Sequence, residues 1–303
     1  DKDRKNMKRK EFIAIVGRPN VGKSTLMNAL LGEKIAIVSS KPQTTRNRIM
    51  GVLTKGEDQY VFLDTPGIHK AKTKLGSYMM KTVRSSIGSA DAVILIADAG
   101  KAPGDIEKNV CEKLKADKLP SMLVLNKIDL VNREKIAETI AQYAALYDFD
   151  AFVPVSALKE KNLGDVMQEA EKFLCEGDWF FEEDMITDQP EKQIAAEIIR
   201  EKMLRTLSAE IPHGSAVVIE EFREEEGLIS IRAEIFCEKE SHKGIIVGKK
   251  GEMLKKIGTY AREDLEEFFG TKVYLNLWVK VKENWRDSEM SLNSLGFNPK
   301  NID

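Results

Sequence analysis

Cysteine and histidine are scarce in this 303-residue chain, three of each. Cys111, Cys175 and Cys237 are odd in number and far apart, which suits neither a disulfide framework nor a zinc cluster. They read as reduced, mostly buried thiols of a cytoplasmic protein. His69, His213 and His242 are scattered and assemble no metal centre by spacing alone. Long apolar runs are missing too: none reaches the roughly 18 residues of a membrane span, and no signal-peptide pattern is present. Excess charge of one sign is also lacking. Lys and Arg number 47 against 49 Asp and Glu, net −2, so attraction to nucleic acid or an anionic membrane has to be local. The length fits about two domains, each with its own core. The first ten residues carry six Lys/Arg against Asp1 and Asp3, a basic arm. Met7 is a candidate natural start, and residues 1–6 are then a remnant left out of the fold reading.

What is present begins at Gly17. Residues 17–25, GRPNVGKST, fit the phosphate-loop pattern G-x-x-x-x-G-K-[ST] through Gly17, Gly22, Lys23 and Ser24. The motif follows an apolar run at 12–16 and precedes Leu26, Met27, Ala29 and Leu30, spaced as on a helix. The glycines let successive backbone N–H groups turn onto phosphate oxygens, and a helix starting near Lys23 adds the positive end of its dipole. Lys23 is expected to reach the β- and γ-phosphates and Ser24 to hold Mg²⁺, with Val21 and Thr25 completing the loop.

Residues 39–48, SSKPQTTRNR, carry no hydrophobic period and read as a loop. In phosphate-loop GTPases a mobile segment sits here, and its threonine completes Mg²⁺ coordination when the γ-phosphate is present. Thr45 is chosen over Thr44. A strand at 60–63 then delivers Asp64-Thr65-Pro66-Gly67. The Asp64 carboxylate suits Mg²⁺, and the Gly67 N–H can touch the γ-phosphate without a side chain in the way. A strand at 92–97 and a helix at about 103–116 continue the alternation, which implies an α/β fold with a doubly wound, mostly parallel sheet.

A strand at 122–125 ends in Asn126-Lys127-Ile128-Asp129, and one at 152–155 ends in Ser156-Ala157-Leu158. Here the sequence resembles the translation-factor-like GTPases, whose N-K-x-D and S-A-x motifs read guanine. The Asp129 carboxylate can accept from both N1–H and the exocyclic amine, and a backbone N–H near Ala157 can donate to the keto oxygen. Adenine would set donor against donor, a discrimination of about 10⁴ or more. Where Ras-like enzymes place a water-orienting glutamine after D-x-x-G, this chain has Ile68, followed by His69. Asn20 resembles the phosphate-loop asparagine of the branch containing Era, Der and MnmE. In part of that branch the asparagine helps bind a K⁺ ion that stabilises charge on the phosphates. The resemblance implies GTP/GDP, Mg²⁺ and K⁺ near Asn20 as cofactors, slow intrinsic hydrolysis, and Asn20, Lys23, Thr45 and Gly67 as the catalytic set.

A helix at 163–175 is expected to close the first domain, residues 1–176. Residues 177–190 break the alternation and read as a linker, with Trp179, Phe180 and Phe181 able to pin it to a domain surface. From 191 to 285 the order is helix, strand, strand, helix, strand, and 286–303 is a tail. Ala195, Ile199, Met203 and Leu207 share a helical face. Segments 216–222 and 228–236 make a hairpin around 224–227, and Val273, Leu275, Leu277, Val279 and Val281 alternate along the last strand. Between them, HKGIIVGKKG at 242–251 leads into a helix with Met253, Leu254 and Ile257. This resembles a KH domain, whose G-x-x-G loop clamps four backbone nucleotides of a single strand. A hairpin ahead of that loop suits the variant found in bacterial ribosomal proteins. Gly248 and Gly251 permit close backbone approach, and Lys249 and Lys250 supply charge. Residues 190–303 hold 18 Lys/Arg and 21 Asp/Glu, net −3, whereas 239–256 holds six Lys against Glu240 and Glu252, net +4. Lys243, Ile246 and Lys255 join the expected RNA contacts.

With QTTR, DTPG, NKID and the terminal Ser294-Leu295-Gly296-Phe297, nearly the whole chain resembles the Era family of bacterial ribosome-associated GTPases. The resemblance implies a phosphate-loop GTPase domain followed by a smaller α+β KH domain. It also implies a GTP-hydrolysing switch that binds the 3′ end of small-subunit ribosomal RNA and acts in maturing the small ribosomal subunit. A cytoplasmic monomer is expected, with peripheral contact at the inner membrane drawing only on the basic start and 239–256. In this reading GTP and Mg²⁺ order the loops around Thr45 and Asp64, which alters how the domains sit and whether the RNA groove is open. The rival reading is a constitutive RNA-binding protein whose nucleotide site is structural or regulatory, and Ile68 keeps it in view.

Overall fold

The computed structural model describes residues 7–208 and 211–298; the expected remnant at 1–6 and the end of the tail, 299–303, lie outside the described residues. Two compact units emerge. Of the described residues, 7–36, 45–70 and 79–188 form the first, and 37–44, 71–78, 189–208 and 211–298 form the second.

In the first unit, strand β1 (Arg9–Val16) runs into the phosphate loop and helix α1 (Lys23–Leu31). Next come β2 (Ile49–Lys55), β3 (Asp58–Asp64), α2 (Lys74–Gly88, its first turn grouped with the second unit), β4 (Ala92–Asp98) and α3 (Asp105–Asp117). Then follow β5 (Ser121–Asn126), α4 (Arg133–Leu146), β6 (Ala151–Pro154), α5 (Leu163–Glu171) and β7 (Cys175–Glu176). The sheet order is β2-β3-β1-β4-β5-β6, parallel except for β2 and with β7 paired to the start of β1. Strand β1 shows why both faces are covered: Ile13 and Ile15 enter one buried cluster with Leu26, Phe62 and Ile94, while Ala14 and Val16 enter another with Val83, Leu95 and Tyr143. A parallel sheet buried on both sides reads as continuous apolar runs, and its loops emerge at the carboxyl ends of the strands, where a ligand binds.

The structure fills in or alters three local readings. Residues 49–55 form an antiparallel edge strand that their mixed IMGVLTK sequence does not announce. Helix α5 stops at Glu171, short of Cys175, because residues 175–176 pair with Lys10 and Arg9. Cys175 is therefore exposed, while Cys111 and Cys237 are buried. The segment read as a linker is fastened to the sheet edge through residue 187. Gln59 Oε1 accepts from the N–H groups of Phe180 and Phe181, Val52 N–H donates to Ile186 O at 2.7 Å, and Thr187 Oγ1 donates to Met50 O at 2.6 Å.

The second unit opens with α6 (Glu191–Thr206), continues through the β8 (Ala216–Glu225) and β9 (Leu228–Cys237) hairpin, then α7 (Glu240–Val247), α8 (Glu252–Phe269), β10 (Lys272–Val281) and α9 (Glu289–Ser294). The turn is tighter than 224–227, since Glu224 and Glu225 already pair with Ile229 and Leu228. Strand β10 lies parallel to β9. Ile199, Met203, Ile231, Ile235, Ile257 and Leu265 build the core between helices and sheet. Helix α7 is an addition to the expected order. Its ESHKGIIV sequence has a glycine and three β-branched residues, poor helix formers, and burial of Ile246 supplies what propensity lacks. The tail folds back as a cap: Trp285 is fully buried, donates Nε1–H to Gly214 O at 2.9 Å and stacks on Phe297.

Candidate nucleotide site and nucleic-acid groove

Strand β1 and helix α1 hold the phosphate loop between them. Gly22 caps α1 at φ 102°, in the left-handed region, and a Cβ there would lie 2.2 Å from Asn126 Nδ2, so only glycine fits. Lys23 is buried and donates to Arg18 O at 2.8 Å and Gly17 O at 3.4 Å, which folds its ammonium back over the loop. Burial lowers its pKa to about 8, with Asp64 opposing the shift.

Three oxygens converge beside it. Ser24 Oγ donates to Asp64 Oδ2 at 2.6 Å, and Thr45 Oγ1 lies 3.0 Å from Ser24 Oγ and 3.3 Å from Asp64 Oδ2. Thr44 instead turns its Oγ1 to Lys41 O. Burial pushes the Asp64 carboxyl up to about 6, against the pull of Lys23 and the two hydroxyls. Its Oδ1 is buried and takes no hydrogen bond from the described residues. An orphaned carboxylate oxygen next to two hydroxyls is a hard-oxygen donor set, which fits Mg²⁺ better than a softer metal. Gly67 lies against the phosphate loop: a Cβ would fall 2.7 Å from Pro19 Cα, and the N–H of Ile68 donates to Gly17 O at 2.9 Å. Ile68 packs on the apolar core beneath α2, and His69 Nδ1 is 2.8 Å from Gly67 O.

At the base-reading end, Asn126 donates through Nδ2 to Val21 O at 2.8 Å and accepts through Oδ1 from Ala157 N–H at 2.9 Å. The Ala157 amide, one of the backbone donors expected near the guanine keto oxygen, thus also ties its loop to Asn126. Lys127 Nζ spans Asn20 O at 2.8 Å and Asp98 Oδ2 at 3.3 Å, which holds Asn20 in its left-handed turn at φ 63°. Asp129 is exposed, and a 2.6 Å hydrogen bond from Ser156 Oγ keeps it below the usual carboxylate range. The side chains expected at the nucleotide site thus lie around one loop system.

One partner went unread in the sequence. Arg18 Nε and Nη2 meet Glu107 at 2.5 and 2.7 Å, and Glu107 Oε2 also accepts from Gly104 N–H. Burial alone would raise Glu107, but Arg18 and the backbone amides hold it below its ordinary value. A glutamate three residues after the glycine that opens α3 is the reciprocal half of a capping box, which accounts for its bond to Gly104 but not for Arg18.

In the second unit Gly248 (φ 74°), Lys250 (φ 52°) and Gly251 (φ 81°) make a turn between α7 and α8 that exposes Lys249 and Lys250. A Cβ on Gly248 would sit 2.6 Å from Met253 Cβ. A groove of about 390 Å³ opens beside the turn, with Leu254, Leu275 and Leu277 as its apolar wall and Gly251, Gly258 and Lys255 along its rim. Lys255 is exposed and Lys243 half-buried. Ile246 does not belong to this surface: it is fully buried in the core, and Ile245 is the exposed neighbour. Adjacent residues of the short helix α7 fall on different faces, so Ile246 turns to the core and Ile245 to solvent.

Residues 12–127 match the 50S ribosome-binding GTPase family and residues 210–286 match the KH domain family. The chain is 52% identical over 287 residues to GTPase Era of Ruminiclostridium cellulolyticum, covering 94% of this chain and 96% of that one. It is 51% identical to GTPase Era of Clostridium botulinum, covering 94% and 97%. Among solved structures it is similar to Era in complex with MgGDPNP and nucleotides 1506–1542 of 16S ribosomal RNA, at 38% identity and TM-score 0.92 over 96% of this chain and 99% of that one. An Era variant from Aquifex aeolicus bound to GDP and AlF₄⁻ is similar at 39% identity and TM-score 0.92, with 96% and 99% covered.

Proposed function

The chain belongs to the GTPase Era family, and from that premise we propose a GTP-hydrolysing switch that binds the 3′ end of small-subunit ribosomal RNA and serves maturation of the small ribosomal subunit. The observation that carries this reading is the presence in one chain of a built phosphate and oxygen-donor site and a glycine–lysine turn beside an apolar groove. It is supported by a relative of the same fold that carries both MgGDPNP and a ribosomal RNA segment.

Lys23 would face the β- and γ-phosphates, and Ser24, Thr45 and Asp64 would hold Mg²⁺. When bound, Mg²⁺ neutralises charge on the phosphate oxygens. Asp64 has to give up its proton for this, and Lys23 to keep its own, so binding is favoured between the two perturbed values, about 6 and about 8. The Gly67 N–H approaches the γ-phosphate. Asp129, oriented by Ser156, accepts from two guanine donors. Asn20, whose carbonyl accepts from Lys127, would help hold a K⁺ ion that stabilises charge on the phosphates. In the second unit Lys249, Lys250 and Lys255 meet phosphates, and Leu254, Leu275 and Leu277 take a base.

Membrane contact has little to draw on. No helix of the described residues is long and apolar enough to cross a membrane. Lys8 and Lys10 lie over the rings of Trp179 and Phe180, and Arg9 is paired with Asp58 and Glu171. A monomeric state is part of the proposal.

Mapping the RNA crosslinked to the full chain tests the reading: crosslinks at the 3′ end of small-subunit RNA, on peptides around 248–255, are expected. The rival, a constitutive RNA binder with an incidental nucleotide site, is favoured by Ile68, which offers no polar group to water. Multiple-turnover GTP hydrolysis with and without ribosomal RNA separates the two, since only a switch turns over at a rate that RNA changes.

A further inference from the structure

Residues 37–44 lead directly into Thr45, yet they belong to the second compact unit, where α6 grips them. Glu201, fully buried, accepts the N–H of Val38 at 2.9 Å. Arg205 donates to Val38 O at 3.0 Å and to the same glutamate at 2.9 Å. Arg200 is 3% exposed and is aimed by Glu197, so that Nη1 donates to Gln43 O at 3.3 Å and Nη2 to Thr44 O. Lys41 Nζ donates to Leu207 O, beyond the end of α6. The polar loop of the sequence is thus held at both ends by side chains of one helix. Gln43 sits at φ 58°, a left-handed conformation that a non-glycine residue keeps only where its surroundings impose it.

We infer that Arg200 and Glu201 are positioning residues for Thr45: α6 fixes the backbone of residues 38–44 and so sets where the threonine hydroxyl stands. The inference deepens the proposed function and rests on its assignment of Thr45 to Mg²⁺. The physical reason is the donor geometry. A guanidinium presents N–H groups in a fixed plane and can hold the carbonyls of two successive residues, whereas a lysine ammonium holds them without that fork. Burial makes the grip costly to lose, because removing Arg200 leaves those carbonyls without their charged donor. The same helix is tied to α8 by Lys202, whose Nζ reaches both Asp264 and, at 3.5 Å, Glu201. Helix α8 begins directly after Gly251, the last residue of the turn beside the groove. Glu201 therefore touches both the segment that precedes Thr45 and the lysine that reaches α8.

The experiment compares the full-length wild type with R200A, R200K, E201Q and T45A. Amide hydrogen exchange is followed over 37–48, and the Mg²⁺ concentration that half-saturates GDPNP binding is titrated. In R200A, exchange over 38–44 should rise at least tenfold while 229–237 stays protected, and half-saturation should need several-fold more Mg²⁺. R200K should recover part of both effects, and E201Q should loosen Val38 first. If R200A does not fold, R200K and E201Q carry the test through the same two readings. Wild-type protection and wild-type Mg²⁺ dependence in these variants, beside a T45A that loses Mg²⁺ affinity, would overturn the inference alone. A T45A with unchanged Mg²⁺ dependence would instead remove the assignment of Thr45, and the inference with it.

Discussion

Asn126 Oδ1 accepts the backbone N–H of Ala157 at 2.9 Å, which joins the two loops at the base-reading end of the nucleotide site. Because Asn126 Nδ2 also donates to Val21 O, one buried amide fastens the phosphate loop to both. Asn126→Ala leaves a buried carbonyl and a buried N–H without partners, a cost of about 2–4 kcal/mol. We expect a lower denaturation midpoint and at least a tenfold loss of GTP affinity, measured by chemical unfolding and fluorescent-nucleotide titration.

Asp129 is the guanine acceptor in this account. Asp129→Asn replaces an acceptor by an amide donor and should weaken GTP by at least about 10²-fold while improving xanthosine triphosphate, whose C2 carbonyl accepts that donor. Competition binding with the two nucleotides gives the ratio; an unchanged preference for GTP would remove Asp129 from base reading.

Glu11 is 3% exposed on β1, and burial with nearby Asp91 pushes its carboxyl up to about 7. The unfolded chain titrates it near 4.5, so the native state holds the extra proton between those values. Stability from this group is complete below about pH 4.5 and falls as pH rises through 7. Glu11→Gln should therefore stabilise the protein at pH 8, by on the order of 1–2 kcal/mol, and make little difference at pH 4.5. Unfolding midpoints across that range check it.

The turn at 248–251 should separate RNA binding from hydrolysis. Lys249→Glu with Lys250→Glu is expected to cut RNA affinity by at least tenfold and to flatten its log–log salt slope by about 0.7 per lost phosphate contact. GTP hydrolysis without RNA should be unchanged. Gly248→Ala, with its Cβ against Met253, should lower both RNA affinity and the stability of the second unit.

The parts of this protein that were legible in its sequence are those where backbone chemistry forces the residue. Gly22 and Gly248 mark left-handed positions pressed against a neighbour, and the apolar runs around Ile13, Ile94 and Val124 mark strands buried on both faces. Ile246 was misplaced because a short helix with two adjacent isoleucines does not say which one faces the core. The edge strand β2 lacked a clean alternation, and its pairing with β3 decides its state. The Arg18–Glu107 pair and the hold of Arg200 on Gln43 and Thr44 join residues 89, 157 and 156 positions apart, a separation at which no local pattern speaks.

The central claim is that occupancy of the nucleotide site is felt at the RNA groove. Equilibrium affinity of the full chain for a 3′-end small-subunit RNA oligonucleotide, measured once with Mg-GDPNP and once with Mg-GDP, tests it most directly. We predict at least about fivefold tighter RNA binding in the GDPNP state, and by linkage the same factor in GDPNP affinity relative to GDP when RNA is present. Equal RNA affinity in the two states would contradict the account.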